Sequence, residues 1–435
     1  MKYSTHQPWQ AASLENVRVL ALCFALIVAI GAPASAQTFR VIHIFDEAGG
    51  AIPIVGLTID RAGNLYGTTY VGGSSDCGGG QGCGVVFKLS HAGSGWVYSK
   101  IYTFTGVGSD GGFPEGRVAF GPDGTLYGTT SADGFGLYGT VFNLRPPASI
   151  CRSISCPWTE TVLYSFNFSP NVGAEPSGDL AFDSAGNIYG TTQAGGYMEG
   201  CNGVGCGLVY QLTRSGGAWT ENILYTFNGA NDGGVPRSGV LRTPDGNLYG
   251  TADYGGPGYG VAYQLTPSQS GWTQNVLYSF QDNGDGEFPR GGLIADAAGN
   301  LYGATSHSGM YGQDGTIYEL TPSGGNGNFN LLYTLTGSPG QDGPEGTLVR
   351  DAAGNFYGAN YGAGAFNRGS IFKLSPSNGG WVYTTLYDFT GRSDGGYPFD
   401  GIVIDANGNL YGTASAGGQG GCDFSTCGVV WEITP

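Results

Sequence analysis

The pair Tyr-Gly returns at Tyr66, Tyr127, Tyr189, Tyr249, Tyr302, Tyr357 and Tyr411, at spacings of 61, 62, 60, 53, 55 and 54 residues. A chain that repeats itself at such a period folds as like units that bury their apolar faces against one another. Aligned on that pair, each unit shows four β-type segments in fixed order, rich in Val, Ile, Leu, Tyr, Phe and Thr, each expected to span four to seven residues. The first is Gly-x-Leu-like, as in Gly56–Asp60 (GLTID). A tight turn with a glycine able to take positive φ leads to the second, the Tyr-Gly-Thr segment itself. A Gly-rich loop precedes the third, whose aromatic column reads Phe87, Phe142, Tyr210, Tyr263, Tyr318, Phe372 and Trp431. The fourth usually opens with Trp and ends eight residues later with Phe, as in Trp219 and Phe227. One Trp and one Tyr at the same place in each unit favour packing over a ladder of sugar-stacking rings.

The first three segments occur seven times, but the chain stops at Trp431–Pro435 before a seventh fourth segment. The missing copy stands at the other end, where Arg40–Phe45 (RVIHIF) matches Thr161–Phe166 (TVLYSF). An early strand that completes the last sheet is the device that closes a β-propeller and hides its edges. The expected fold is therefore all-β: seven four-stranded antiparallel blades, closed by the N-terminal strand.

Residues Val19–Ala32 form an apolar run too short for a comfortable membrane span, preceded by Lys2 and Arg18 and followed by Ala34-Ser35-Ala36. This is the pattern of a secretory signal peptide cut near Ala36, which assigns 1–36 to export and 37–435 to the propeller. A lipoprotein signal at Cys23 is disfavoured by the bulky Leu22 before it. The expected location is secreted, extracellular or periplasmic, with no span in the mature chain. Loss of Lys2, Arg18 and Glu15 takes the formal charge from −16 to −17. That balance argues against nucleic acid as a partner, because phosphate binding needs clustered Lys and Arg. Gly makes up 83 of 435 residues without a Gly-X-Y period, which excludes collagen, while 13% aromatic residues supply a core.

With Cys23 removed, eight cysteines remain in close pairs: Cys77 with Cys83, Cys151 with Cys156, Cys201 with Cys206, and Cys422 with Cys427. An even count in an exported chain reads as disulfides. Zinc is disfavoured, since each pair lies in a different unit and lacks His partners.

The pattern Gly-x-Leu-x-x-Asp-x-x-Gly-Asn-Leu-Tyr, seen at Leu180–Tyr189 and Ile402–Tyr411, is similar to blades of NHL and gluconolactonase-like propellers. The whole unit, with Leu-Tyr-Gly-Thr-Thr, a Gly-Gly loop, Gly-Val-Val-Phe-x-Leu, a Trp and Leu-Tyr-x-Phe, more closely resembles the bacterial GloVer tandem repeat, over essentially all of residues 40–435. The resemblance implies a secreted or surface protein and assigns no biochemical role. Members of that family often carry a C-terminal sorting or anchor segment; the chain ends at Pro435 without one, so release is expected.

In an antiparallel meander, the loops after the fourth strand and between the second and third share one face. That front face carries three cysteine pairs and a recurrent Asp-Gly-x-x-Pro segment with Asp110, Asp232, Asp285 and Asp394. These carboxylates are hard donors of the kind calcium takes, but Asp282-Asn283-Gly284-Asp285 lacks the alternating ligands of a calcium loop. Each is expected to cap its own turn, with structural calcium as the alternative and no other cofactor.

The proline of that segment stands twelve residues before the residue ahead of the Tyr-Gly tyrosine in every unit, from Pro53 to Pro398. A fixed offset places equivalent residues in a ring at the mouth of the central channel. The position after the proline reads Ile54, Glu115, Ser177, Arg237, Arg290, Glu345 and Phe399, with Arg117, Asp179 and Asp400 close behind. Charge is scarce in this chain and gathers there, so the ring is the candidate binding site. Arg237 and Arg290 would clamp a carboxylate or a sugar hydroxyl, and Glu115 and Glu345 would accept hydrogen bonds. The competing reading is ion pairing between blades, for instance Arg290 with Glu345.

No catalytic residue is assigned. His43, His91 and His307 are expected on an outer strand, a rear loop and a front loop, too far apart for a shared acid–base centre. The leading expectation is a monomeric binding or surface-interaction module for a glycan or an extracellular protein. The alternative is an extracellular hydrolase or lyase acting on a lactone, sugar acid or polysaccharide.

Overall fold

The computed structural model describes Met1 and residues 37–435, apart from 75–76, 94, 107–109, 133–137, 148–157, 168–171, 200, 282, 309–314, 324–325, 337–341 and 419–426. The expected signal peptide falls outside the described residues. So do Cys151 and Cys156, for which a disulfide was expected, and Cys422, the expected partner of Cys427. Residues Phe39–Thr434 form one compact unit. It holds seven four-stranded antiparallel sheets in a ring, six of them in sequence order from the channel outward, a seven-bladed β-propeller. Closure follows the expected route: strand Thr38–Ile44 is the outermost of the last sheet, beside Val429–Thr434.

The second strands, such as Leu65–Thr69 and Leu126–Thr130, are buried at every residue. Both faces of these strands are covered by neighbouring blades, which leaves no solvent-facing side. The fourth strands alternate between exposed and half-buried residues, as expected at the rim.

The recurrent motifs have packing explanations. The glycine of Tyr-Gly lies beneath the third-strand ring of its own blade: a Cβ on Gly67 would come 2.6 Å from Phe87 Cζ, and one on Gly190 would come 2.6 Å from Tyr210 Cζ. The aspartate six residues before the tyrosine closes the hairpin. Asp60 Oδ1 accepts the N–H of Ala62 at 2.8 Å and of Asn64 at 2.9 Å, and Oδ2 accepts the Tyr66 hydroxyl at 3.1 Å. The same tyrosine bond recurs at Asp183, Asp296, Asp351 and Asp405. The tryptophans pack on the preceding blade: Trp96 lies 5.7 Å from Tyr411, and Trp158 lies 6.3 Å from Tyr66.

A second seam runs outside. Six residues before the Phe, or Leu335 in blade 5, that closes each fourth segment, Phe39 stacks on Tyr387 at 3.6 Å, Tyr98 on His43 at 4.1 Å and Phe329 on Tyr278 at 4.2 Å. Blades 2 and 3 carry carboxyls there instead. Glu221 accepts the Tyr164 hydroxyl at 2.9 Å, and Glu160 lies near Tyr102 and Asp110. Burial raises both acids, Glu160 to about 7, and the Oε1 atom of each has no hydrogen-bond partner.

Two expectations are corrected. The first strand spans only two residues in six blades, as at Thr58–Ile59, and is long only at Gly173–Phe182. The ladder is interrupted beside the ring proline, which has no N–H to give, and resumes as a single bridge such as Ala51–Val71; blade 3 has the same proline and a left-handed Glu175, and there the pairing continues with a register shift between Ser177 and Ala181. His91 lies in strand Val85–Ala92 opposite Trp96, 3.8 Å between rings, and not in a loop.

Candidate functional site

Each ring residue is placed by a device that spans two blades. The residue before the proline has positive φ at Ile52, Phe113, Glu175, Val235, Phe288 and Tyr397, between 54° and 57°. Non-glycine residues rarely adopt this conformation, and a β-branched one least of all, so the surroundings must enforce it. They do so by hydrogen bonds. The N–H of Ile52 donates to the carbonyl of Cys427 at 2.9 Å, that of Phe113 to Cys83 at 2.9 Å and that of Val235 to Cys206 at 2.8 Å, always in the preceding blade. Tyr138, Arg368 and Tyr259 supply the same carbonyl to Glu175, Tyr397 and Phe288. The proline then rests on the glycine that opens the preceding third strand: a Cβ on Gly84 would lie 2.8 Å from Pro114 Cδ, and one on Gly260 would lie 2.5 Å from Pro289 Cδ. That contact accounts for the glycine of Gly-Val-Val-Phe.

Disulfides join Cys77 to Cys83 and Cys201 to Cys206. Cys427 is also disulfide-bonded. These bridges therefore stand directly behind the residues that aim Glu115, Arg237 and Ile54 at the mouth. The fourth expected bridge, Cys151 to Cys156, lies outside the described residues.

All seven residues expected to bind at the mouth line one cavity of about 400 Å³, which runs from Ile54, Glu115 and Phe399 down to Leu241 and Ile294. Charged groups join across blades. Arg290 pairs with Glu345, as the competing sequence reading held. Asp253 sits between the two arginines, its Oδ2 2.6 Å from Arg237 Nε and 3.4 Å from Arg290 Nε. Gln193 continues the chain, accepting from Arg237 Nη1 at 3.1 Å and donating to Glu115 Oε2 at 3.1 Å. Deeper, Arg117 Nε donates to Asp179 at 3.0 Å, and Asp400 accepts the Gly56 N–H at 2.7 Å. The mouth is thus divided: a polar arc from blade 2 to blade 6, and an apolar sector of Phe399 and Ile54 in blades 7 and 1.

Asp253 and Gln193 were missed from sequence. Asp253 directly follows its second strand and Gln193 holds the same position inside the longer Ile188–Gly195, in a column that reads Tyr70, Ser131, Gln193, Asp253, Ser306, Tyr361 and Ser415. Variation in a column amid invariant neighbours was the available signal.

Burial dominates the electrostatics. It raises Glu345 to about 7, helped by nearby Asp342 and opposed by Arg290. Burial also raises Glu115, Asp253 and Asp400, in Asp253 despite both arginines. Asp253 Oδ1 and Glu345 Oε2 are buried without a hydrogen-bond partner.

The front-loop aspartates cap their turns. Asp110 accepts the Thr105 N–H at 2.8 Å, Asp232 that of Asn228 at 3.0 Å and Asp394 that of Thr390 at 2.8 Å. Asp285 does the same for Gln281, and takes the Tyr278 hydroxyl at 2.7 Å. Among the described residues, no three His, Cys, Asp or Glu side chains group as a metal site.

One constellation has the outline of a nucleophile with its base: Ser306 Oγ lies 3.0 Å from His307 Nδ1, and His307 Nε2 lies 2.7 Å from Asp342. Ser306 is fully buried, and its hydroxyl also bonds the Phe288 carbonyl at 3.3 Å. Ser131 and Ser415 make that same bond to Phe113 and Tyr397, both at 2.9 Å. The serine supports the left-handed residue in three blades and presents no nucleophile.

The sequence model of the Gloeobacter/Verrucomicrobia repeat family matches residues 32–204 and 198–426. No curated protein sequence matches the chain. Among solved structures, a fungal alcohol oxidase in complex with copper is similar at a TM-score of 0.56 and 14% identity, covering 92% of this chain and 76% of that one. PorZ, a surface component of the type-IX secretion system of Porphyromonas gingivalis, gives 0.50 and 14%, with 91% and 48% covered. A protein from Thermus thermophilus described as a putative oxidoreductase (glucose dehydrogenase) gives 0.44 and 17%, with 74% and 96% covered. At 14% identity the first two are alike in fold alone.

Proposed function

The chain belongs to the Gloeobacter/Verrucomicrobia repeat family, and from that premise we propose that it is an exported binding module that takes a saccharide unit at the channel mouth. The observation that carries this reading is the division of one cavity into a polar arc and an apolar sector. A pyranose has the same two-sidedness, with C–H groups that pack on an aromatic ring and hydroxyls that both donate and accept. Phe399, edge-on to Tyr361 at 5.3 Å, offers the first surface. Arg237, Gln193, Ser177 and Glu115 offer donors and acceptors for the second. Both arginines already share Asp253, so they are suited to a hydroxyl more than to a carboxylate that would compete with that aspartate. Export is supported by the disulfides, which persist in oxidising compartments.

The test is a glycan array followed by titration calorimetry on the mature chain, with Phe399→Ala and Arg237→Gln as paired variants. Binding of a saccharide that either variant weakens at least tenfold supports the reading. Binding that neither variant alters places the ligand elsewhere and removes it. The hydrolase or lyase alternative rests on Glu345 and Glu115, whose burial favours the protonated form that a general acid needs. Product analysis of the same mixtures distinguishes turnover from binding.

A further inference from the structure

Carboxylates outnumber arginines around the cavity: Glu115, Asp179, Asp253, Glu345 and Asp400 face only Arg117, Arg237 and Arg290. Such an imbalance inside a partly dry cup is unfavourable unless protons or a cation make up the difference. The deficit is sharpest in blade 6. Glu345 is 5% exposed and lines the cavity; its Oε1 holds Arg290, while Oε2 has no partner. Tyr361, from the same blade, lies close enough to feel the Glu345 charge, and Phe399 stands at the next ring position. A carboxylate with a spare oxygen beside aromatic faces is chemistry that receives an ammonium group, through charge, N–H donors and the ring quadrupole.

We propose that the saccharide taken by the mouth carries a protonated amine, seated against Glu345 and the Phe399–Tyr361 rings, so that the site reads an amino sugar in preference to neutral or acidic sugars. This rests on the saccharide reading of the mouth and adds the charge of the ligand. The strong negative charge of the whole chain favours the encounter. The amine and a proton compete for Glu345. The groups that face that competition are Arg290 and Asp253 from blades 5 and 4, Asp342 with its partner His307, and Tyr361. Below about pH 7 binding therefore displaces a proton from Glu345 while the amine keeps its own, and affinity for the amine falls as pH drops below about 6, where Glu345 holds its proton.

The experiment titrates the mature chain with three trisaccharide probes, a glucosamine oligomer, a neutral glucose oligomer and a galacturonic acid oligomer, in two buffers of different ionisation enthalpy. The expected result is at least tenfold tighter binding of the glucosamine oligomer, with proton release at about pH 6, where the free amine is already protonated, and loss of that preference in Glu345→Gln. Thermal melts of Glu345→Gln establish that it folds. The proton count in the unaltered chain tests the same claim without the variant. Equal affinity for the glucosamine and glucose oligomers overturns the amine and leaves the saccharide reading standing. Tightest binding of the galacturonic acid oligomer also overturns it, with the arginines as the anchors. No binding of any probe, together with a blank glycan array, overturns both.

Discussion

The main-chain N–H of Phe113 donates to the carbonyl of Cys83 across the seam between blades 1 and 2, at 2.9 Å. Phe113 is two residues before Glu115, and Cys83 is bridged to Cys77, so a covalent staple in one blade fixes a cavity residue in the next.

Breaking that staple should therefore affect binding as well as stability. The double variant Cys77→Ser with Cys83→Ser is expected to lose roughly 2 kcal/mol, the unfolded-state entropy of a six-residue loop. It should also weaken saccharide binding several-fold, with a faster off-rate. Calorimetry and surface plasmon resonance on the variant check both; unchanged affinity in a destabilised variant would separate the staple from the site.

Two buried acids should tie stability to pH. Glu160 and Glu345 have folded values of about 7, above the ordinary 4.5, so the folded state holds their protons more tightly than the unfolded chain does. Their contribution is full below 4.5 and is lost as pH rises from 4.5 to about 7. Asp60, Asp183, Asp296 and Asp351 act in the opposite direction: turn and tyrosine hydrogen bonds outweigh burial and hold them below 3.8, so their contribution falls as pH drops through that range. Burial also lowers His43 to about 4, which opposes the two acids between pH 4 and 6.5, so their effect is read as a difference: the melting temperature of the unaltered chain should fall relative to that of Glu160→Gln as pH rises from 4.5 to about 7. A difference that stays constant from pH 4.5 to 8 would contradict this.

The acid in the outer seam is replaceable. Four seams stack rings where Glu160 meets Tyr102, so Glu160→Tyr is expected to stabilise the ring by about 1 kcal/mol through an added aromatic pair. Denaturant titration at pH 7.5, where the buried carboxylate costs most, gives the largest difference.

Gly260 tests the glycine under each proline. It has φ of +99°, and a Cβ would meet Pro289 Cδ at 2.5 Å, so Gly260→Ala combines backbone strain with overlap. A loss of about 2 to 4 kcal/mol is expected. Gly246→Ala, with positive φ but only a 4.0 Å neighbour, should lose about 1 kcal/mol and serves as the control.

Asp253→Asn leaves Arg237 and Arg290 without their shared counter-ion. The expected cost is about 3 kcal/mol, as for other broken buried pairs. The variant should also gain affinity for galacturonic acid oligomers, since its freed arginines are the anions' natural partners. Thermal melts and titration check the two halves independently.

The blade count and the closure were legible because a period of 53 to 62 residues and a displaced fourth segment need no side-chain geometry to be read. The ring was legible for a related reason: a proline at fixed offset carries its neighbours to equivalent places, and Glu115, Arg237, Arg290 and Glu345 all reached one cavity. Asp253 and Gln193 were not found, because their part depends on Arg237 turning toward them, from 16 positions away within one blade and from 44 positions away across a seam. The two-residue first strands also escaped, since apolar spacing does not register the break in pairing beside the ring proline.

The left-handed residues have a consequence for how such a ring can change over time. The peptide groups that aim each inward-facing side chain belong to the sheet before it, so a cut at the sheet boundary severs a side chain from its support. Recombination that preserves a ligand has to cut within sheets, swapping the back half of one together with the front half of the next.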